Sequence, residues 1–275
     1  MFPNLTMSLM MRPLFTFITL TLLCTAVLRA ETAVLPVNPF LLHINGVGGR
    51  RSIDQTLVIA LKQAGYKGEV RMYDWTGGKI GIEALLAHER HHAEARTIAD
   101  IILARHKADP NAPIHITAHS GGAGLAAFAL ELLPPDVRVE SVFMFAPALS
   151  PEYDLTGALK HVTKNLYVFS SPHDTVVLAA GCKLFGTIDG VKCEAAGVNG
   201  FVQPATADPE QYKKLIHYPY RISWLRKYGN AGSHICAMRY PFARGYIAPL
   251  FLTGVAPKEA VDERTPTTQP AAATR

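Results

Sequence analysis

The residues from Ile114 to Gly124 (Ile-His-Ile-Thr-Ala-His-Ser-Gly-Gly-Ala-Gly) restrict the fold of this chain more than any other stretch. Their first half alternates β-branched and polar residues, the pattern of a short buried strand. Their second half is a cluster of small residues, and the run Gly124 to Leu133 then reads as a helix that Pro134-Pro135 must end. Ser120 therefore lies on a tight turn from strand to helix. Such a turn forces its central residue into strained backbone angles and projects its side chain from the top edge of a sheet. Gly121 and Gly122 allow backbone to approach closely behind it.

The rest of the chain supplies strands and helices in alternation. Phe40 to Ile44 is a plausible buried strand that runs into Asn45-Gly46-Val47-Gly48-Gly49, and Ser52 to Ala64 reads as a helix closed by Gly65. Glu69 to Tyr73 is a second strand, and a long helix is expected from about Ile82 to His106. After the Ser120 turn, Val139 to Ala146 and Asn165 to Ser170 are strands, with a last one within Leu215 to Trp224. Alternating short apolar strands and helices predict an α/β fold: an open, mostly parallel sheet with helices on both faces. Residues 176–213 break the alternation. They include Ile188-Asp189-Gly190-Val191, which reads as a two-residue hairpin, and an apolar side of Phe185, Val198, Phe201 and Val202. This insert is expected to be a lid or pocket wall, or a surface excursion stapled by a disulfide.

Composition closes off several function classes. The chain has 275 residues, of which 49% are hydrophobic and 18% charged, so one sizeable core is easily supplied. The net charge of +5 falls to +3 without Arg12 and Arg29, and the basic residues are scattered. No nucleic-acid partner is expected from so mild a balance. Arg12, the apolar run Leu14 to Leu28 and the small residues Ala26 and Ala30 read as a secretory signal over residues 1–30. Export to the periplasm or the extracellular space follows, with membrane association only if that segment stays uncleaved. Lipid attachment at Cys24 is disfavoured by Leu23 before it. Export permits disulfides. Of Cys182, Cys193 and Cys236, the pair Cys182–Cys193 would close a short loop and is the favoured bridge, although either can pair with Cys236. The domain is expected to span residues 31–255, and the tail 256–275, rich in Pro, Thr and Ala, to be disordered.

The pentapeptide Ala118-His119-Ser120-Gly121-Gly122 resembles the Gly-x-Ser-x-Gly nucleophile elbow of the α/β-hydrolases, with Ala118 in place of the first glycine. Some small lipases also carry alanine there. The resemblance extends over about residues 40–252 and implies an α/β-hydrolase fold and a serine hydrolase acting on carboxylic esters, as small lipases and esterases do. It also implies the chain order serine, acid, histidine. Asp174 follows the strand 165–170 in Ser170-Ser171-Pro172-His173-Asp174 and fits the acid, with Glu152 and Asp154 as runners-up. His234 ends the loop Gly229-Asn230-Ala231-Gly232-Ser233-His234 and fits the base, ahead of His217; His173 is too near Asp174 in sequence and shapes its loop. An oxyanion needs two preorganised N–H donors. By position these are Gly121, and Val47 in the loop after the first strand, where Gly46 lets backbone approach. No metal or organic cofactor is required, and the partner is a small-molecule or lipid ester.

Two readings from other classes stand beside this one. His88-Glu89-Arg90-His91-His92 matches the H-E-x-x-H motif of zinc proteases, but Ala95 and Ile98 occupy the places where the extended motif needs Gly and His. His88 and His91 fall in line with Ala95, Ile98 and Ile102, a packed stripe. The other reading is a non-catalytic binding module on a hydrolase scaffold.

Overall fold

The computed structural model describes residues 38–258. The signal-peptide stretch 1–30 and the tail beyond residue 258 lie outside the described residues.

Six strands form one sheet, all parallel, in the order β2-β1-β3-β4-β5-β6. They are β1 (Phe40–Ile44), β2 (Glu69–Tyr73), β3 (Ile114–His119), β4 (Ser141–Phe145), β5 (Leu166–Ser170) and β6 (Leu215–Pro219). Five fall where the sequence predicts them. β4 is shorter than expected, because Val139 forms only an isolated bridge to Val162. The principal helices are α1 (Ser52–Gln63), α2 (Ile82–Leu85), α3 (His88–Ala108), α4 (Gly121–Glu131), α5 (Thr156–Lys160), α6 (Cys182–Phe185) and α7 (Ile222–Tyr228). The expected open sheet with helices on both faces is the fold of this chain. Strand order reverses between β1 and β3, and in open α/β sheets the crevice beyond the carboxyl ends of such a pair is where ligands bind.

Alternation along each strand divides the core in two. Phe40, Leu42 and Ile44 of β1 and Ile114, Ile116 and Ala118 of β3 pack under α3 and α4, against Ile98, Ile102, Leu125 and Leu130. Leu41 of β1, Phe143 and Phe145 of β4 and Phe169 of β5 face the other way, against Leu57, Leu61, Trp224, Phe242 and Tyr246. That second face also buries polar side chains. His43 Nδ1 bonds Thr117 Oγ1 at 2.9 Å, and its Nε2 bonds Asp54 Oδ1 at 2.9 Å. Asp54 stands in the first turn of α1, where it also accepts the Arg51 N–H at 2.8 Å.

Three expectations are corrected. The long helix 82–106 is two, α2 and α3, parted at Leu86 and Ala87. Neither residue breaks a helix intrinsically; the break is tertiary, since His91 Nε2 reaches back to the Ala84 carbonyl at 2.9 Å and satisfies an acceptor there. The helix after Ser120 begins at Gly121, three residues earlier than its apolar run suggests. Ile188 to Val191 is a tight turn, closed by Thr187 N–H to Val191 O at 2.9 Å, and not a strand hairpin.

The Cys182–Cys193 bridge is also a correction. Cys182, Cys193 and Cys236 are all free, two buried and Cys193 half-buried. Burial, then the neighbouring Cys193, Asp174 and Asp189, push the Cys182 thiol up to about 12. Burial and Asp189 raise Cys193 as well. Thiol–disulfide exchange needs a thiolate, and this environment suppresses both.

Candidate active site

Ser120 follows directly on β3 and has φ 53° and ψ −123°, one of two non-glycine residues with positive φ among the described residues. Such a conformation costs about 1–3 kcal/mol and persists only where its surroundings hold it. Here they do. The Ser120 N–H donates to Phe145 O at 2.9 Å, and its carbonyl accepts from Ala123 N at 3.0 Å and Ala148 N at 3.1 Å. The end of β4 thus pins the turn at the end of β3.

Small residues make the turn sterically possible. A Cβ on Gly122 would stand 2.2 Å from the Asn45 carbonyl oxygen and 2.7 Å from that of Ile44, so the start of α4 rides directly on the end of β1. A Cβ on Gly46 would stand 3.2 Å from Ser120 Cβ, and one on Gly121 would stand 2.9 Å from Val47 Cγ1. Gly46 and Val47 therefore lie against Ser120 and Gly121. As the first residue of a helix, Gly121 has an N–H without an intrahelical partner.

Asp174 and His234 are brought together from 60 residues apart. His234 Nδ1 and Asp174 Oδ2 are 2.6 Å apart, with Asp174 buried and His234 half-buried. Asp174 follows β5 in a turn closed by its own N–H on Ser171 O, and Asn230 Oδ1 holds Gly232 N at 2.8 Å to shape the loop that carries His234. His234 packs on His119, the residue before Ser120: ring centroids are 4.7 Å apart, and His119 Nε2 lies 3.1 Å from the His234 carbonyl. Among the described residues the Ser120 hydroxyl has no hydrogen-bond partner. In a ligand-free site that joint is often loose and tightens on binding.

The alternatives for acid and base sit elsewhere. Asp154 caps Thr156 N at 2.9 Å, and Glu152 is exposed. His217 lies mid-strand in β6 beside Gly200, and His173 stacks edge-on against Tyr220.

Beside Ser120 opens an apolar cavity of about 180 Å³, lined by Val47, Ile82, Leu85, Val177, Leu178 and Phe185 among others. Its outer wall is the insert: a π-helical turn over Thr175–Gly181 and then α6. A larger cavity of about 530 Å³ lies between α3 and α4, with Ile188 in its wall and His88, His91, His92 and Glu131 around it. The H-E-x-x-H stretch of α3 borders this cavity. His88, Glu89 and His92 are exposed, His92 stacks on Phe128, and His91 is buried. Among the described residues no three His, Cys, Asp or Glu side chains form a group able to hold a metal ion.

Sequence reasoning missed His119. The signal was present, since His115, Thr117 and His119 alternate onto one face of β3, but nothing in the pattern says which loop covers that face.

No protein-family model matches the chain, and no curated protein matches it. Solved structures with a similar arrangement include a CIB-like hydrolase from Thermoplasma acidophilum, with a TM-score of 0.43 and 18% identity, covering 80% of this chain and 88% of that one. A cutinase-like protein from Cryptococcus sp. gives 0.38 and 14% over 75% and 88%. An uncharacterized protein from Bacillus cereus ATCC 10987 gives 0.41 and 12% over 78% of this chain and 61% of that one, so the chain spans about three fifths of the Bacillus protein. These are distant likenesses of architecture; the fold assignment rests on the chain's own strand order and elbow.

Proposed function

From the α/β-hydrolase fold as premise, we propose that this chain is a serine hydrolase that cleaves carboxylic esters with a short apolar acyl group. The observation that carries the reading is the 2.6 Å His234–Asp174 pair, with His234 packed on His119, the residue that precedes a serine held at positive φ. A serine hydroxyl is a poor nucleophile until a base takes its proton, and a base works best when an acid fixes its tautomer. Asp174 accepts from Nδ1–H of His234, which leaves Nε2 as the basic nitrogen.

Ser120 Oγ attacks the ester carbonyl while His234 Nε2 takes its proton. The tetrahedral oxyanion is held by the N–H groups of Gly121 and Val47. His234 then returns the proton to the departing alcohol, leaving an acyl-serine, and a water activated by the same imidazole releases the acid. No step requires a cofactor.

Cavity size supports the acyl preference. An apolar space of about 180 Å³ is close to the roughly 150 Å³ that accommodates a benzene-sized molecule. An acyl chain of about four to eight carbons fits such a space.

A fluorophosphonate probe tests the reading. Wild-type protein is expected to be labelled at Ser120 and to hydrolyse p-nitrophenyl butyrate. Ser120→Ala is expected to lose labelling entirely and turnover by at least about 10³-fold. Equal labelling of both proteins would sink the proposal. Export is part of the same proposal, on the pattern of Arg12 followed by the apolar run Leu14 to Leu28.

A further inference from the structure

We infer that His119 is a positioning residue: a fixed N–H donor that holds the backbone of the catalytic His234 and braces the oxyanion loop beneath it. The inference rests on the esterase reading and deepens it. Three contacts meet at this one ring. Its Nε2 lies 3.1 Å from the His234 carbonyl, across 115 residues of sequence. Its centroid lies 4.7 Å from that of His234. Its Nδ1 would stand only 2.9 Å from a Cβ on Gly46, so the ring packs directly under the loop that carries Val47. His119 also adjoins Ser120 along the chain, so it touches the nucleophile's turn, the base and the oxyanion loop at once.

The hydrogen bond has a required sense. A carbonyl only accepts, so Nε2 must carry the proton. Burial, then the charge of His234, push His119 down to about 3, while Asp54 partly opposes them and His43 adds to them. The ring is therefore neutral through the ordinary pH range, and its one proton goes to Nε2. Neutrality matters in a second way. His234 becomes cationic during each turnover, and a charged ring at 4.7 Å would oppose that step.

His234 is thus held twice. Asp174 fixes the ring through Nδ1, and His119 fixes the backbone from which the ring hangs. A loop lacking the second hold leaves the imidazole free to drift from Ser120, to which no hydrogen bond yet ties it.

Two variants separate positioning from mere filling. His119→Gln keeps an N–H near the place of Nε2, whereas His119→Phe keeps the ring and removes the donor. With p-nitrophenyl butyrate, His119→Phe is expected to lose about tenfold in kcat, the rate equivalent of one ordinary hydrogen bond, with KM changed less than about twofold. His119→Gln is expected to recover most of that loss. In substrate-free protein, the downfield NMR signal of the His234 Nδ1 proton is expected to be sharp in wild type and in His119→Gln, and exchange-broadened in His119→Phe. Equal kcat in His119→Phe and wild type, an equal loss in both variants, or an unchanged proton signal in His119→Phe would each overturn the inference. Should the wild type neither turn over ester nor take the probe, the esterase reading falls, and the proton signal alone still decides whether His119 holds His234.

Discussion

At the scale of single residues, the site depends on where side chains are missing. Gly121 and Gly122 are neighbours, yet the obstacles they face differ in kind. A Cβ at Gly122 meets backbone oxygens of Asn45 and Ile44 at 2.2 and 2.7 Å, and backbone at the end of a central strand cannot yield. A Cβ at Gly121 meets side chains only, Val47 Cγ1 at 2.9 Å and Trp75 Cζ2 at 3.2 Å, and Val47 is half-buried. Gly122→Ala is therefore expected to destabilise by about 3 kcal/mol or more, seen as a large fall in Tm or insoluble protein. Gly121→Ala is expected to fold with a smaller Tm loss. Its activity is nevertheless expected to fall by roughly 10²-fold, since displacing Val47 misplaces one of the two proposed oxyanion donors. Equal Tm losses for the two would contradict this division. The Asp174–His234 contact was legible in the sequence, because Asp174 follows a predicted strand and His234 ends a late loop, in the order that the resemblance implies. His119 was not, because its value lies in one contact with a loop 115 residues away.

At the scale of elements, the insert walls the cavity beside Ser120. It leaves the alternating pattern after β5, and its sequence is too short of periodicity to say whether it covers the site. The structure gives it a wall: Val177 and Leu178 from the π-helical turn and Phe185 from α6, opposite Ile82 and Leu85 of α2. The break between α2 and α3 has the same consequence, for it frees α2 to form the facing wall. No residue type announces that break, so periodicity alone ran the two helices together. Phe185→Ala removes the largest side chain from the insert's wall. The variant is expected to shift the preferred p-nitrophenyl ester toward acyl chains about two or more carbons longer, with the shortest esters losing kcat/KM. An unchanged chain-length profile would mean that the acyl group lies elsewhere. The insert also carries Cys182 and Cys193. Both are expected to react with iodoacetamide after denaturation without a reductant, which peptide mapping checks; recovery of a Cys182–Cys193 cross-linked peptide would show that the bridge forms after all.

At the scale of the whole molecule, the sheet's two faces are unlike. On the α3–α4 face the central strands β1, β3 and β4 present only apolar side chains, as a doubly covered parallel sheet should. The other face carries His43, His115, Thr117 and His119 among aromatic residues. Binary pattern in the sequence gave strands but could not show that these polar residues point inward, because the alternation of β3 also fits a half-solvated strand. Their burial makes the fold sensitive to acid. Burial lowers His115 from 6.5 to about 4, with Glu140 opposing and Lys164 adding to the effect. Burial likewise lowers His119 from 6.5 to about 3. A histidine whose folded value is depressed is protonated in the unfolded chain before it is protonated in the native one. Between about pH 6.5 and 4 the unfolded state therefore binds more protons, and stability falls as pH falls. Each such group costs up to about 1.4 kcal/mol per pH unit over that interval. Tm followed by circular dichroism is expected to be level near pH 7 to 8 and to decline steadily from pH 6.5 to 4.5, above the range where most carboxylates titrate. His115→Gln, which keeps a polar partner for Ser141 Oγ, is expected to shallow that decline without changing the plateau greatly. A Tm that stays level down to pH 4.5 would show that water reaches these imidazoles, and with that the neutral, single-proton state on which His119 depends would lose its physical basis.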